Sequence, residues 1–497
     1  MANIQIAANV VSAKVLDADH DLKMELSELL SYQVQGAEHS TSFKSGSWTG
    51  RSTLFSYDKG IFPAGLTTLV VSHLRQKGHT VQLIRKPAPE PLGASVPVVD
   101  AFGYTTEYDY QYRTVEQLVK HRAIIAQVAT GGGKSRIASM TFARIKRPTL
   151  FITTRSVLMH QMKKSFDASI AYRKAQGEEG LDKVYCGIMG DGEWHPSPHL
   201  NVAMVQTIQA RLKDPKTAEK MTRMLEHFEC VILEEAHESS GEGYYQIMNA
   251  CKNATYRLAL TATPFMRDDE EANMRLMAVS GPIGIKVSEK ELIDKGILAT
   301  PYFKIVDVMP GERVKKLSNW QLAYKYGIVE NEARNKIIAE EVIDAVKHGL
   351  TAMVLVQRRE HGQILRDLMK PHVRVAYIFG DSDQSERDAA LQALAKGDLD
   401  VLIGSTILDV GVDVPAVGMV ALAGAGKAEV ALRQRIGRGL RRKPKGQPNK
   451  AYVLEFRDRV NKHLLGHAAA RRQILESTPG FAENILKPGA DFDFKRK

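Results

Sequence analysis

The stretch QVATGGGKS (127–135) constrains the fold more than any other. It follows the apolar run AIIAQV and precedes RIASMTFARIK, which carries helical patterning. A strand that delivers a Gly-rich loop into a helix belongs to a βαβ unit, and such units build parallel sheets buried on both faces. Consecutive glycines let the backbone curl until its amide N–H groups face an anion, and the helix N terminus adds partial positive charge. In such a loop Thr130, Gly131, Gly132 and Gly133 cradle phosphates. Lys134 reaches the β- and γ-phosphates, and Ser135 ligates Mg²⁺. The strict spacing G-x4-G-K-[ST] is not met, because Val128 holds the place of the first glycine. The bland alternative is a flexible turn ending in a chance Lys-Ser. The strand before it and the helix after it weigh against that.

The rest of the chain repeats the same alternation. From about 120 to 300, β-rich runs (AIIAQVA, TLFITT, NVAMVQT, CVILEE, RLALTAT) are separated by helical stretches, and TAMVLVQ, VRVAYIF, DVLIGST, GMVALA and AYVLEF continue it from 350 to 455. Two α/β blocks in tandem follow. Ahead of them, TVQLI and STLFSY flank a helical run at LTTLVVSHLRQKG, which predicts a small α+β domain. The breaker-rich KPAPEPLGASVP then reads as a linker. The expected divisions are 1–96, 97–298, 299–456 and a helical, basic tail at 457–497.

Composition sets outer limits. A chain of 497 residues, 44% hydrophobic and 25% charged, is a soluble globular protein of several domains. No uncharged stretch reaches the roughly 18 residues of a spanning helix, so no membrane is expected. MANIQIAANVV lacks the cationic start of a secretory signal. Cys186, Cys230 and Cys251 are odd in number and widely spaced, which suits a reducing cytoplasm. The formal net charge of +11 favours a polyanionic partner.

The run VILEEAHESS (231–240) gives the phosphate loop its counterpart. A strand CVIL would carry Glu234 and Glu235 to the carboxyl end of the same sheet, where ligands of open α/β sheets bind. One carboxylate there serves Mg²⁺ and the other orients and deprotonates the attacking water. Glu235 takes the general-base place, and Glu234 takes the metal place with one methylene more than aspartate. LTATP (260–264) ends another strand. In the second block come VLIGSTILDVGVDVPAV (401–417) and QRIGRGLRR (434–442). Arg438 and Arg441, three apart, are expected on one helix face as fingers for phosphoryl transfer. A basic run without acids from 433 to 450 suggests further phosphate contact.

The loop, EEAH, LTATP, T-x4-G-V-D-V-P and Q-x-x-G-R-x-x-R, in this order over about 105–445, resemble the superfamily-two helicases. The resemblance implies two tandem RecA-like parallel-sheet domains, with ATP and Mg²⁺ as cofactors and DNA as partner. It implies that Gln111 in YDYQYR reads adenine, with Tyr108 where relatives often carry arginine. Thr153, Thr154, Arg155, Gln206, Thr207, Ser405 and Thr406 would contact the strand, and Asp413 and Gln434 would line the ATP cleft. SFKSGSWTGRSTLFSYDKGIFPAGL (42–66) is similar to the start of the phage UvsW branched-DNA helicases. That points to an ATP-dependent helicase, monomeric on DNA, that remodels forks, Holliday junctions and R-loops with 3′ to 5′ translocation. Trp48, beside Lys44 and Arg51, reads either as a stacking residue or as core. The alternatives are an RNA helicase, a restriction-complex translocase, or a non-catalytic DNA-binding protein with a degenerate ATP site.

Overall fold

The computed structural model describes residues 3–236, 242–265, 269–309, 312–317, 319–380, 382–404, 417–424, 426, 432–433, 436–437, 439–444, 446–459 and 461–495. The chain divides into two units. One holds the residues up to Val128 with Gly133–Val287, and the other holds Ala129–Gly132 with the residues from Ser288 onward.

The first unit begins with a small mixed sheet. Strands β1 (Asn3–Ala8), β2 (Ser12–Val15), β5 (Ile61–Pro63) and β6 (Thr80–Arg85) lie in the order β5-β2-β1-β6, while β3 (Ser31–Gln33) and β4 (Arg51–Thr53) form a separate ribbon. In β1, Ile4 and Ile6 point inward and Asn3 and Gln5 outward, the alternation of a sheet covered on one face. Helix α1 (Thr67–Gln76) presses Val70 and Leu74 onto that covered face. STLFSY contributes less strand than its composition predicts, because pairing stops at Thr53. Trp48 is half-buried and donates its indole N–H to the Arg51 carbonyl at 2.7 Å, which anchors its own turn.

The larger sheet of this unit comprises β7 (Ala123–Val128), β8 (Thr149–Thr153), β9 (Cys186–Gly190), β10 (Glu193–His195), β11 (Leu200–Met204), β12 (Cys230–Glu234), β13 (Tyr256–Thr261) and β14 (Ile283–Val287). The order is β10-β9-β11-β8-β12-β13-β7-β14, parallel throughout except for the antiparallel β10. Its central strands are buried along their whole length, which is why they read as unbroken apolar runs.

KPAPEPLG differs from the linker its composition suggests. It is a strap pinned to this domain. Arg122 donates to the Lys86 carbonyl at 2.8 Å, the Tyr256 hydroxyl to Pro89 at 2.7 Å, and Arg147 to Glu90 at 2.7 and 2.9 Å. Prolines remove donors but leave carbonyls, and the arginines of the domain take them up. The small sheet is fixed as well, since its core includes Ala278 of helix α5 (Glu270–Ser280; α2 to α4 are given below). Glu270 also accepts from the Gln33 N–H at 2.8 Å.

The second unit carries a parallel sheet of β15 (Thr300–Val308), β16 (Ala352–Leu355), β17 (Val375–Ile378), β18 (Val401–Gly404), β19 (Met419–Ala421) and β20 (Lys450–Asp458), in the order β15-β20-β19-β16-β18-β17. The segment after 457 is helical at Lys462–Ser477, as its patterning suggests, and buries Leu464, Ile474 and Leu475. The polar end GADFDF does not trail away. Phe492 is fully buried, Asp493 pairs with Lys450 and Tyr452, and Asp491 pairs with Lys304. Among the described residues no helix is long and apolar enough to cross a membrane.

Candidate ATP and nucleic-acid site

Strand β7 leads through the loop into helix α3 (Lys134–Ile145), while Gln111 comes from the preceding helix α2 (Asp109–His121). Gly131 and Gly133 have φ of 86° and 78°, a left-handed backbone that side chains resist. At Gly133 a side chain is excluded twice over, since a Cβ there would lie 2.5 Å from Gln111 Nε2. The Gly132 N–H closes on the Ala129 carbonyl at 3.0 Å and sets the curl of the loop. Lys134 and exposed Ser135 then open the helix.

Strand β12 delivers Glu234 as its last residue, one strand away from β7 across β13. Glu234 is 5% exposed, and its Oε2 has no hydrogen-bond partner. Burial pushes its carboxyl up to about 8, against the pull of Lys134 and with the Glu235 charge adding to the rise. A buried acceptor oxygen with no donor, close to a lysine at a phosphate-type loop, suits a cation or its water. The residues present therefore fit Mg²⁺ and a polyphosphate. Glu235 follows at φ 49°, a left-handed backbone that turns the chain sharply at the end of the strand. LTATP is tied to the loop strand, with Gln127 Nε2 donating to the Ala262 carbonyl at 3.4 Å.

Gln111 is 1% exposed. Arg136 donates to its Oε1 at 2.7 Å, and the same guanidinium grips Asp100 at 3.0 and 3.2 Å and the Gly103 carbonyl at 2.6 Å. Sequence reasoning missed Arg136 and Asp100. A signal was present, because a cation in the first turn of a helix opposes the macrodipole and calls for a carboxylate partner.

On the same edge, β8 ends in Thr153, Thr154 and Arg155, and β11 runs into helix α4 (Val205–Lys213) with Gln206 and Thr207. Gln206 Nε2 donates to the Thr154 carbonyl at 3.1 Å, which joins the two turns. Ser405, Thr406, Asp413, Gln434 and Arg438 lie outside the described residues. Arg441 departs from expectation. It forms an isolated antiparallel bridge with Leu298 and does not extend a helix, because Gly437, Gly439 and the approach to Pro444 disfavour another turn.

Comparison with known proteins agrees with this geometry. Residues 105–266 match the family model of the type III restriction enzyme res subunit, 332–443 the helicase conserved C-terminal domain, and 3–83 the amino-terminal domain of DNA helicase UvsW. The chain is 23% identical over 448 residues to the ATP-dependent DNA helicase uvsW of Enterobacteria phage T4, covering 86% of this chain and 85% of that protein. The chain is an ATP-dependent DNA helicase that resembles those of superfamily two. This helicase is also 24% identical over 401 residues to the DNA 3′-5′ translocase XPB2 of Sulfurisphaera tokodaii, covering 73% and 84% of the two chains. Its fold is similar to that of the DUF1998 helicase MrfA bound to DNA, with a TM-score of 0.56 at 14% identity over 80% of this chain and 52% of that one. It has two RecA-like parallel-sheet domains that follow a small amino-terminal domain in the chain, and it is an ATP-dependent enzyme.

Proposed function

We propose that this helicase uses ATP hydrolysis to translocate 3′ to 5′ and remodel branched DNA, including forks, Holliday junctions and R-loops, during replication, recombination and repair in the cytoplasm of its host. The observation that carries the reading is that one sheet edge bears both chemistries. The phosphate-type loop and the Glu234–Glu235 turn stand at β7 and β12, while the turns joined by Gln206 and Thr154 stand at β8 and β11. The amino-terminal domain supports the branched substrate, since it shares a core with the helix that follows LTATP. Polarity follows the translocase relative.

In this reading Lys134 and the N terminus of α3 attract the phosphates, and ATP supplies the bond that is broken. Ser135 and Glu234 offer oxygens to Mg²⁺, and Glu235 accepts a proton from the attacking water. Gln111 braces Gly133, with its carbonyl held by Arg136 and its amide nitrogen beside the loop, and would read the adenine. Asp413, Gln434, Arg438 and Arg441 complete the set from the second block, with the arginines stabilising charge in the transition state. Thr154, Arg155, Gln206, Thr207 and Thr406 hold the strand of a monomer on DNA.

The test compares ATP hydrolysis with no DNA, linear duplex, forked, four-way and R-loop substrates. Branched substrates should stimulate the wild type most, and Lys134→Ala should abolish hydrolysis in a folded protein. Equal stimulation by linear duplex would remove the branched-DNA reading, and near-normal turnover by Lys134→Ala would remove the loop assignment.

A further inference from the structure

Helix α4 carries the strand-contacting face beyond Gln206 and Thr207. Positions four apart share a face, so Ala210 follows Gln206 and Arg211 follows Thr207. Arg211 lies over the indole of Trp194 in β10, 3.4 Å from the ring centroid, and Trp194 packs in turn against the buried core of the domain. The guanidinium makes no hydrogen bond or ion pair with any described residue. It faces an open groove of about 630 Å³ lined by Gln206, Thr207, Ala210, Arg211, Asp214 and Thr217. Asp214 is the one acid in that lining, and its oxygens are engaged by the Lys216 N–H at 3.0 Å and the Thr217 hydroxyl at 3.4 Å.

Stacking fixes the plane of an arginine while leaving its N–H edge available, and that planar fork matches the oxygens of a phosphate. Without a carboxylate partner the charge has nothing to give up before it binds an anion. The indole face is already covered, which leaves it no surface for a base. We propose that Arg211, held flat on Trp194, binds a backbone phosphate and extends the contact of Gln206 and Thr207 by a further nucleotide along α4. The ligand is the sugar-phosphate backbone of a DNA strand, and the inference rests on the DNA-translocase reading above.

The experiment titrates the full chain with labelled oligo(dT) over a series of salt concentrations. Arg211→Ala and Arg211→Gln should each weaken binding roughly tenfold, the scale of one lost charge-assisted hydrogen bond. The slope of log affinity against log salt should flatten by about 0.7, one single-strand phosphate. Trp194→Phe keeps an aromatic platform and should stay near wild type. Trp194→Leu stays apolar but removes the platform, and should weaken binding in the same sense as the arginine variants. Thermal unfolding verifies that each variant is folded, and Arg211→Gln keeps a polar but uncharged side chain at this position. An unchanged slope in both Arg211 variants overturns the proposal, even where affinity falls, because the residue would then act through packing alone. A wild-type chain that fails to bind oligo(dT) would instead remove the DNA reading, and the inference with it.

Discussion

Glu234 and Glu235 are adjacent in sequence yet meet different surroundings. Glu234 ends a buried strand, whereas Glu235 occupies a left-handed turn. If Glu235 takes the proton, Glu235→Gln keeps its size and loses the base. ATP hydrolysis should then fall by about 10² or more, while ATP and DNA still bind. Glu234→Asp only shortens the arm, so it should retain most activity with a shifted Mg²⁺ optimum, and Glu234→Gln should do worse than Glu234→Asp. Steady-state hydrolysis across a Mg²⁺ series checks this. Loss of activity in Glu234→Asp alone would exchange the two roles. The placement of these carboxylates at a strand end, like that of Lys134 at a helix start, was legible in sequence because the apolar run before each marks where the strand stops. The Arg136–Asp100 pair was not, since its partners are 36 positions apart and neither belongs to a motif.

At the scale of elements, strands were easier to read than connections. Buried parallel strands announce themselves as apolar runs, whereas short β10 and half-exposed β14 carry no such run. The strap at 86–93 misled for a physical reason. Proline excludes helix and sheet but says nothing about whether a neighbouring arginine will donate to the carbonyls it leaves exposed. The amino-terminal domain is docked just as firmly at Gly65, where a Cβ would overlap the carbonyl oxygens of Met277 and Ala278 in α5. Gly65→Ala must push the two elements apart, and the expected cost is about 1–3 kcal/mol, typical of overpacking. Urea unfolding and limited proteolysis should show a less stable first unit that is cut more readily between the small sheet and the larger domain. A variant as stable and protease-resistant as wild type would mean that the docked arrangement yields without cost.

For the molecule as a whole, the two units should respond differently to acid. His361 is fully buried in the second unit, and its Nε2 donates to Asn335 Oδ1 at 2.9 Å. Its Nδ1 is buried without an acceptor, so a second proton would have no partner there. Burial, reinforced by the Arg334 charge, pulls the imidazole down to about 3 from an ordinary value of 6.5. The unfolded chain therefore binds a proton at this position below pH 6.5 that the folded unit refuses. Stability rises with pH wherever the unfolded state holds more protons, so this contribution is complete above about pH 6.5 and is lost as pH falls below it. The expected slope is about 1.4 kcal/mol per pH unit. Most surface carboxylates stay ionised down to about pH 4.5, so His361 sets the response of the second unit from 6.5 to 4.5. Buried Glu234, raised to about 8, takes up a proton on folding and works in the opposite sense in the first unit. Among the described residues no buried histidine occurs in the first unit. Calorimetry over this window should show the transition of the second unit falling in temperature faster than that of the first. His361→Gln, a neutral side chain that can still donate to Asn335, should narrow the difference by the share the histidine contributes. If the two transitions fall in parallel in wild type, or diverge just as widely in His361→Gln, the acid sensitivity lies elsewhere, and the buried Arg334–Asp458 and Arg471–Glu455 pairs become the next groups to test.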